Sequence, residues 1–311
     1  MTALICGSMA YDTIMAFPDR FKHHILPEQV HILNVAFLVP ELRREFGGCA
    51  GNIAYNLKLL GGNPRILATV GKDFGPYRDW LATLGIADDL ITVRTDLYTA
   101  QAYITTDLDD NQITAFHPGA MSFAHETPLP KDPNIRLGLI SPDGKEGMME
   151  HAEAFHQQGV PFIFDPGQGL PMFNGEELLR ITDWAHYITL NDYEARLFED
   201  RTGLNLTTIA ARVKALIVTK GSQGSLIYAE GQCHEIPPAK PTSTQDPTGC
   251  GDAYRAGLVQ GLLEGRDLPT AGRMASLMGA IKVESAGTQN HSVTLPGFKT
   301  RFRETFGISL D

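Results

Sequence analysis

A chain of 311 residues suits one large domain, or one domain with a smaller appendage. With 43% hydrophobic and 20% charged residues it has the composition of a globular protein, so a sizeable core is expected. A formal net charge of -10 argues against nucleic acid as the main partner, though a local basic patch still suits an anion.

The first residues, MTALICGSMAYD, carry no basic region before a long apolar run and do not read as a signal peptide. Residues 3–7 (ALICG) read as a buried strand, and residues 50–62 (AGNIAYNLKLLGG) as a helix stopped by two glycines. Residues 64–71 then form a strand and 76–85 a helix. The alternation resumes with a strand at 134–141, a helix at 147–159 and a strand at 161–167. Next come a helix at 174–184, a strand at 185–191, a helix at 192–203 and a strand at 213–221, and residues 253–265 (AYRAGLVQGLLEG) read as a late helix. Such alternation predicts a mostly parallel sheet covered on both faces.

Two stretches break the rhythm. Residues 13–45 are rich in β-branched and aromatic side chains, and residues 98–117 read as two strands around the turn DLDDN. They form either a small separate sheet able to cover a ligand or an edge extension of the main sheet. No apolar run approaches the roughly 20 residues of a membrane helix. The four cysteines lie apart with no CxxC pair, which fits reduced thiols and a cytoplasmic protein.

The chemistry gathers at glycine-rich helix entries. In QDPTGCGDAYRAG, residues Gly249, Cys250, Gly251 and Asp252 fall at a helix's first turn. There, backbone N–H groups lack partners and carry partial positive charge, and glycine lets an anion approach. A carboxylate beside bound phosphate needs a task, and taking a proton from an attacking hydroxyl is one. The alternative is an ordinary helix-start Asp beside a turn. Ala253, Gly257, Gly261 and Gly265 make a small-residue ridge that would let this helix sit close to the sheet. FGGCAGN is a second glycine-rich entry. Asp12, at the end of GSMAYD, and Asn52 fall where α/β sheets gather ligands, and either serves a hydroxyl or a loop. Asn191 and Glu194, three apart after a strand, suit Mg²⁺ through water or a capping pair. Residues 218–225 (VTKGSQGS) pass under a nucleotide phosphate or form a plain turn. GxxxxGK[ST], GxGxxG, HRD, DFG and HExxH are absent, which removes P-loop kinases, dinucleotide enzymes, protein kinases and zinc proteases of those patterns.

Together GGCAGNIAYNLKLLGG, NDYE, TKGSQG and DPTGCGDAYRAG resemble, in order and over nearly the whole chain, the ribokinase-like (PfkB-type) family of sugar and nucleoside kinases. Pro247 and Thr248 sit in the variable part of the last motif, and Cys250 and Tyr254 replace the common Ala and Phe. The resemblance implies an α/β fold whose mostly parallel central sheet is flanked by helices on both faces. Residues 1–12, 46–97 and 118–311 would form the large domain, and residues 13–45 and 98–117 a small β-sheet lid. It implies Asp252 as general base, and the N–H groups of Gly249, Cys250 and Gly251 as anion hole. Asn191 and Glu194 would organise Mg²⁺ through water. Thr219, Lys220, Gly221 and Gly224 would contact ATP. Asp12, Gly48 and Asn52 would bind substrate hydroxyls. Ala286 and Asn290, in ESAGTQN, would line the adenine pocket, in a loop that often helps hold a monovalent cation such as K⁺.

The apolar residues in or beside the lid, Met15, Phe17, Phe37, Leu38, Val39, Phe116 and Met121, suit a nucleoside base. NQITAFHPGAM and FGGCAGN look like those of bacterial adenosine-kinase-type enzymes, so the expected acceptor is the adenosine 5′-hydroxyl, in purine salvage. The same residues alternatively bind the lid to the main sheet or to a second subunit as a homodimer. A kinase for ribose, fructose or a sugar phosphate is the same-class alternative, with Lys22, Arg43 and Arg44 available to an acceptor phosphate. A catalytically silent ligand-binding relative and a nicotinamide dehydrogenase are weakened, by the retained motifs and by the missing glycine fingerprint.

Overall fold

Strand β1 (Thr2–Cys6) is buried at every residue, because both faces of its sheet are covered. Successive side chains point to opposite faces, so Ala3 and Ile5 enter one core while Leu4 and Cys6 enter another. The structure, a computed structural model, describes residues 1–109 and 111–310.

After β1 come β2 (Ala10–Ala16), β3 (Glu41–Gly47), α1 (Cys49–Leu59), β4 (Asn63–Gly71), α2 (Gly75–Leu84), β5 (Ile91–Arg94), β6 (Ala100–Thr106), β7 (Gln112–His117) and β8 (Ile135–Ile140). Then follow α3 (Lys145–Gln157), β9 (Phe162–Phe164), α4 (Gly175–Trp184), β10 (Tyr187–Asn191), α5 (Asp192–Thr202), α6 (Leu206–Ala210) and β11 (Ala215–Thr219). The chain ends with β12 (Ser225–Ala229), β13 (Gln232–Ile236), α7 (Cys250–Leu263), α8 (Leu268–Val283) and α9 (Leu295–Phe306).

The large sheet has the order β13-β12-β11-β10-β9-β8-β1-β4-β5. It is parallel from β11 to β5, and the hairpin β12–β13 adds the antiparallel edge. One core joins it to α1, α2, α7 and α8 through Ile53, Leu57, Leu81, Val259 and Ala275. The other joins it to α3, α4 and α5 through Met148, Phe155, Leu178 and Phe198. Strand order reverses at β1, where β8 lies on one side and β4 on the other. A crevice beyond the strands' C-terminal ends is expected at such a point.

The ridge on α7 does a different job from the one its spacing suggested. A methyl group on Gly257 or Gly261 would lie 2.6 Å from the Ala275 Cα or 2.7 Å from the Ala271 Cα. The ridge therefore lets α7 press against α8, not against the sheet.

The second sheet has the order β3-β2-β6-β7, with β2 parallel to β6 and the other pairs antiparallel. Its strands start and end deeper in the chain than composition suggested, taking in Ala10, Tyr11 and Asp12 at one point and Phe46 and Gly47 at another. Residues 33–40 are irregular rather than a further strand. Phe37 instead packs its ring on Phe17 and Phe21, with centroids 4.7 and 5.0 Å away, while Leu38 is 86% exposed. The turn expected at 107–111 includes Asp110, which lies outside the described residues. Beside it, the Asp107 carboxylate accepts the N–H groups of Asp109 and Asn111.

Candidate active site

Two glycine turns bring α1 and α7 together over the crevice. Gly249 caps α7 with φ 78°, a left-handed conformation that suits glycine. The N–H groups of Gly249, Gly251 and Asp252 make no hydrogen bond to described residues. The Cys250 N–H is already engaged, donating to the Pro247 carbonyl at 3.1 Å, so the free amides are not the three expected from the motif. Gly48 caps α1 with φ 84°. A methyl group there would lie 2.6 Å from the backbone of Met9, so only glycine lets α1 begin this close to the turn after β1.

These two starts meet at Asp252. Asn52, on α1, donates Nδ2–H to Asp252 Oδ2 at 2.8 Å. Burial pushes the Asp252 carboxyl up to about 6, against the opposing pull of the Asn52 bond and of Arg255. Arg255, one turn further along α7, is buried and donates Nη2–H to Asp165 at 2.8 Å. Asp165 directly follows β9, so this ion pair ties α7 to the sheet's C-terminal edge.

Asp12 rides on β2, opposite Glu45 of β3. Its carboxyl has no hydrogen-bond partner among the described residues. Burial, then Glu45 and Asp246, push it up to about 6. A methyl group on Gly47 would come within 2.5 Å of Asp12 Oδ2, so glycine keeps that carboxylate open. Gly48, Asn52 and Asp252 are thus gathered at the starts of α1 and α7, with Asp12 on the strand that pairs with the one leading into them.

Asn191 and Glu194 form a capping box on α5. Asn191 Oδ1 accepts the Glu194 N–H at 2.7 Å, and Glu194 takes the Asn191 backbone and side-chain N–H groups at 2.8 Å each. Burial, then Asp165, raises the Glu194 carboxyl. No group of three or more His, Cys, Asp or Glu among the described residues is arranged to hold a metal directly. This donor set fits Mg²⁺ bound through water, and not a protein cage.

Beside the free amides opens a cavity of ≈ 480 Å³. Thr219, Gly221 and Gly224 form one wall, Cys250 and Gly251 the floor, and Ala280 and Val283 of α8 the far side. Lys220, Ala286 and Asn290 do not line it. The Asn290 side chain turns the other way, donating to Glu45 at 3.0 Å and to the Ala286 carbonyl at 3.1 Å. The wall expected from Ala286 and Asn290 is instead built by Pro238, Ala239, Lys240 and Pro241, whose two prolines keep that run out of helix and strand interiors.

The loop after α8 does not fit a monovalent metal cation. Lys282 is fully buried, and its ammonium donates to the carbonyls of Asp246 at 2.7 Å and Ser285 at 3.2 Å. The Asp246 carboxylate is 3.9 Å away and also accepts the Gly287 N–H. The oxygens that would ligate an ion already surround a fixed positive charge.

A profile of the pfkB family of carbohydrate kinases matches residues 9–295. The chain belongs to that family. It is 34% identical over 263 residues to a nucleoside kinase of Methanocaldococcus jannaschii, covering 84% of this chain and 86% of the relative. A crystal structure of the M. jannaschii nucleoside kinase, described as an archaeal member of the ribokinase family, superimposes with a TM-score of 0.89 at 31% identity, over 97% of this chain and 98% of that one. Burkholderia thailandensis nucleoside kinase in complex with inosine superimposes with a TM-score of 0.90 at 50% identity, over 99% of both chains. The same enzyme in complex with ADP-inosine gives 0.87 at 52% identity, over 99% of this chain and 97% of that one. The fold is ribokinase-like, with a mostly parallel central sheet, helices around it and a separate small sheet.

Three other features of this pfkB-family kinase bear on its acceptor. Lys22 pairs with Asp109 at 3.0 Å, Arg43 with Glu45 at 3.7 Å and Arg44 with Asp73 at 3.3 Å, and all three cationic side chains are exposed. Phe17 and Phe37 are occupied with each other in the small sheet's own cluster. Among the described residues no helix is long and apolar enough to cross a membrane. The motifs did not point to Arg255, Asp165, Trp80, Gln289 or Lys282. Two had a signal: Arg255 lies within the last motif three residues beyond Asp252, on the same side of the helix, and Gln289 lies within ESAGTQN.

Proposed function

We propose that the protein is an ATP-dependent nucleoside kinase that phosphorylates the 5′-hydroxyl of a purine nucleoside, adenosine foremost, with Asp252 as general base. The observation carrying this reading is the Asp252 carboxylate, held by Asn52, directly after Cys250 and Gly251, which line a cavity walled by the Thr219–Gly224 turn. The inosine held by the Burkholderia enzyme supports a purine nucleoside acceptor.

On this reading Asp12, Gly48 and Asn52 hold the nucleoside hydroxyls. Asp252 takes the 5′-hydroxyl proton as that oxygen bonds to the γ-phosphorus. The bond from the γ-phosphorus to the bridging oxygen breaks, and ADP leaves with the electron pair. The amides of Gly249, Gly251 and Asp252 stabilise the charge on the transferring phosphoryl group. Thr219, Gly221, Gly224 and Cys250 lie along the ATP. Glu194, set by Asn191, would hold Mg²⁺ through water, and the ion would supply positive charge to the nucleotide phosphates. Lys282 replaces a monovalent metal cation.

Strands β2, β3, β6 and β7, Asp12 among their residues, act as a lid that excludes water, and the large sheet with its helices as the catalytic domain. The lid exposes Leu38, and its sheet face opposite Asp12 exposes Leu42 and Ile113, which favours a second copy of the chain as its partner. Light scattering on Leu42→Glu, expected to halve the mass of the parent species, tests that pairing.

The function is tested by following ADP release from Mg-ATP with adenosine, inosine, cytidine, ribose, fructose or fructose 6-phosphate. Turnover with the purine nucleosides is expected. Turnover with a free sugar alone would reject the nucleoside reading and keep the family.

A further inference from the structure

Asn52 is held by more than Asp252. Its Oδ1 accepts Nε2–H of Gln289 at 3.0 Å, and the same Gln289 nitrogen donates to the Tyr77 hydroxyl at 2.7 Å. Gln289 Oε1 accepts the indole N–H of Trp80 at 2.8 Å. Tyr77 in turn donates its only O–H to the Gly47 carbonyl at 2.8 Å.

An amide side chain has two nearly isosteric ends, and its chemistry depends on which end faces where. Here the choice is forced twice. An indole N–H only donates, so the Gln289 end at Trp80 must be oxygen. A carbonyl only accepts, so the Tyr77 proton goes to Gly47 and the Tyr77 oxygen must receive an N–H from Gln289. Both constraints leave Gln289 Nε2 facing Asn52, so the near end of Asn52 must be its oxygen. The far end of Asn52 is then its NH₂, and that end faces Asp252.

We propose that Trp80, Tyr77 and Gln289 are positioning residues that lock Asn52 so that it presents an N–H, and never its oxygen, to Asp252. The inference deepens the reading of Asp252 as the base and rests on it. An N–H favours the ionised carboxylate, the form that takes a proton. An oxygen in its place would accept a hydrogen bond from the protonated acid and favour the inactive form. The lock also occupies Asp252 Oδ2, leaving Oδ1 for the acceptor hydroxyl. The other charged and titratable groups around Asp252 are Arg255 and Cys250 on α7, Asp165 after β9, Cys49 on α1 and Tyr77 itself. None of these sets the orientation of the Asn52 amide except Tyr77.

The test is the titration of the Asp252 side-chain carboxyl by ¹³C NMR in nucleotide-free protein, together with the pH dependence of kcat. Trp80→Phe combined with Tyr77→Phe removes both constraints and keeps the rings. Gln289→Met removes the relay with little change of volume. In each, the Asp252 midpoint is expected to rise by about 0.5–1 pH unit, because one charge-favouring hydrogen bond becomes optional. At pH 6, kcat should fall about two- to fivefold, with most of the loss recovered at pH 8. A role in packing alone would lower activity evenly across pH and leave the midpoint in place. An unmoved midpoint in Gln289→Met overturns the proposal, even if the double variant does not fold. Absence of phosphoryl transfer by the parent protein would instead overturn the kinase reading, and the NMR titration would still report on the lock.

Discussion

Asp252 and Asn52 stand 200 residues apart in the chain, yet the Asn52 side-chain N–H meets the Asp252 carboxylate at 2.8 Å. The carboxyl is pushed up to about 6 by burial, and the Asn52 bond is the largest opposing influence. A base works only when ionised, so kcat/KM should fall as pH drops through about 6. Asn52→Leu removes the opposing bond, and the acid limb should move to higher pH while the nucleoside KM rises. A pH–rate profile of both proteins checks this, and an unmoved limb would count against Asp252 as the titrating group.

Asp252→Asn should be nearly inactive, with kcat reduced at least about 100-fold. It should also be more stable at neutral pH. The Asp252 carboxyl titrates near 3.8 when unfolded and near 6 when folded, so the unfolded chain releases its proton first as pH rises. Stability is therefore lost between about pH 4 and pH 6 and stays reduced above that window. Replacing the carboxyl recovers at most about 3 kcal/mol, from a shift of about two units at 1.36 kcal/mol each. Thermal melts should show the gain at pH 7.5 and none at pH 4.

Gly47→Ala should raise the nucleoside KM about tenfold or more and leave the ATP KM almost unchanged. The added methyl group would stand 2.5 Å from Asp12 Oδ2, forcing that carboxylate aside without touching the nucleotide cavity. Steady-state kinetics with each substrate varied in turn separates the two effects.

Exchange of Na⁺ for K⁺ should leave the parent enzyme's rate unchanged, because the Lys282 ammonium already satisfies the carbonyls of Asp246 and Ser285. Lys282→Met leaves those partly buried carbonyls without their partner and should cost at most about 1–3 kcal/mol of stability for each. Rates and melting temperatures in the two salts, for both proteins, check this. A parent enzyme strongly activated by K⁺ would show that the ion acts elsewhere or displaces the lysine.

The alternation of strands and helices was legible because each element carries its own periodicity and glycine or capping stop. So were the two glycine-rich helix entries, whose need for a left-handed residue is local to Gly48 and Gly249. Residues 33–40 misled, because β-branched and aromatic content resembles a strand even where Phe37 is used for a ring cluster and Leu38 faces solvent. Ala286 and Asn290 misled for another reason. Their distance from the cavity depends on how the loop after α8 folds back toward Glu45, and local spacing does not encode that. Gln289 reaches Asn52 and Tyr77 across 237 and 212 residues, and Lys282 holds Asp246 across 36. Contacts of that span exist only once the chain is folded, so no motif announced them.

Strand β2 follows β1 after a three-residue turn and carries Asp12 on the small sheet, whereas Asn52 and Asp252 are fixed on helices of the main sheet. A nucleoside gripped from both sides would splint the two sheets into one alignment. A water molecule is too small to bridge them, so it gains no such alignment and stays a poor phosphoryl acceptor. The division of the grip between two sheets would thereby guard the cell's nucleotide pool against idle hydrolysis, with the acceptor itself serving as the key.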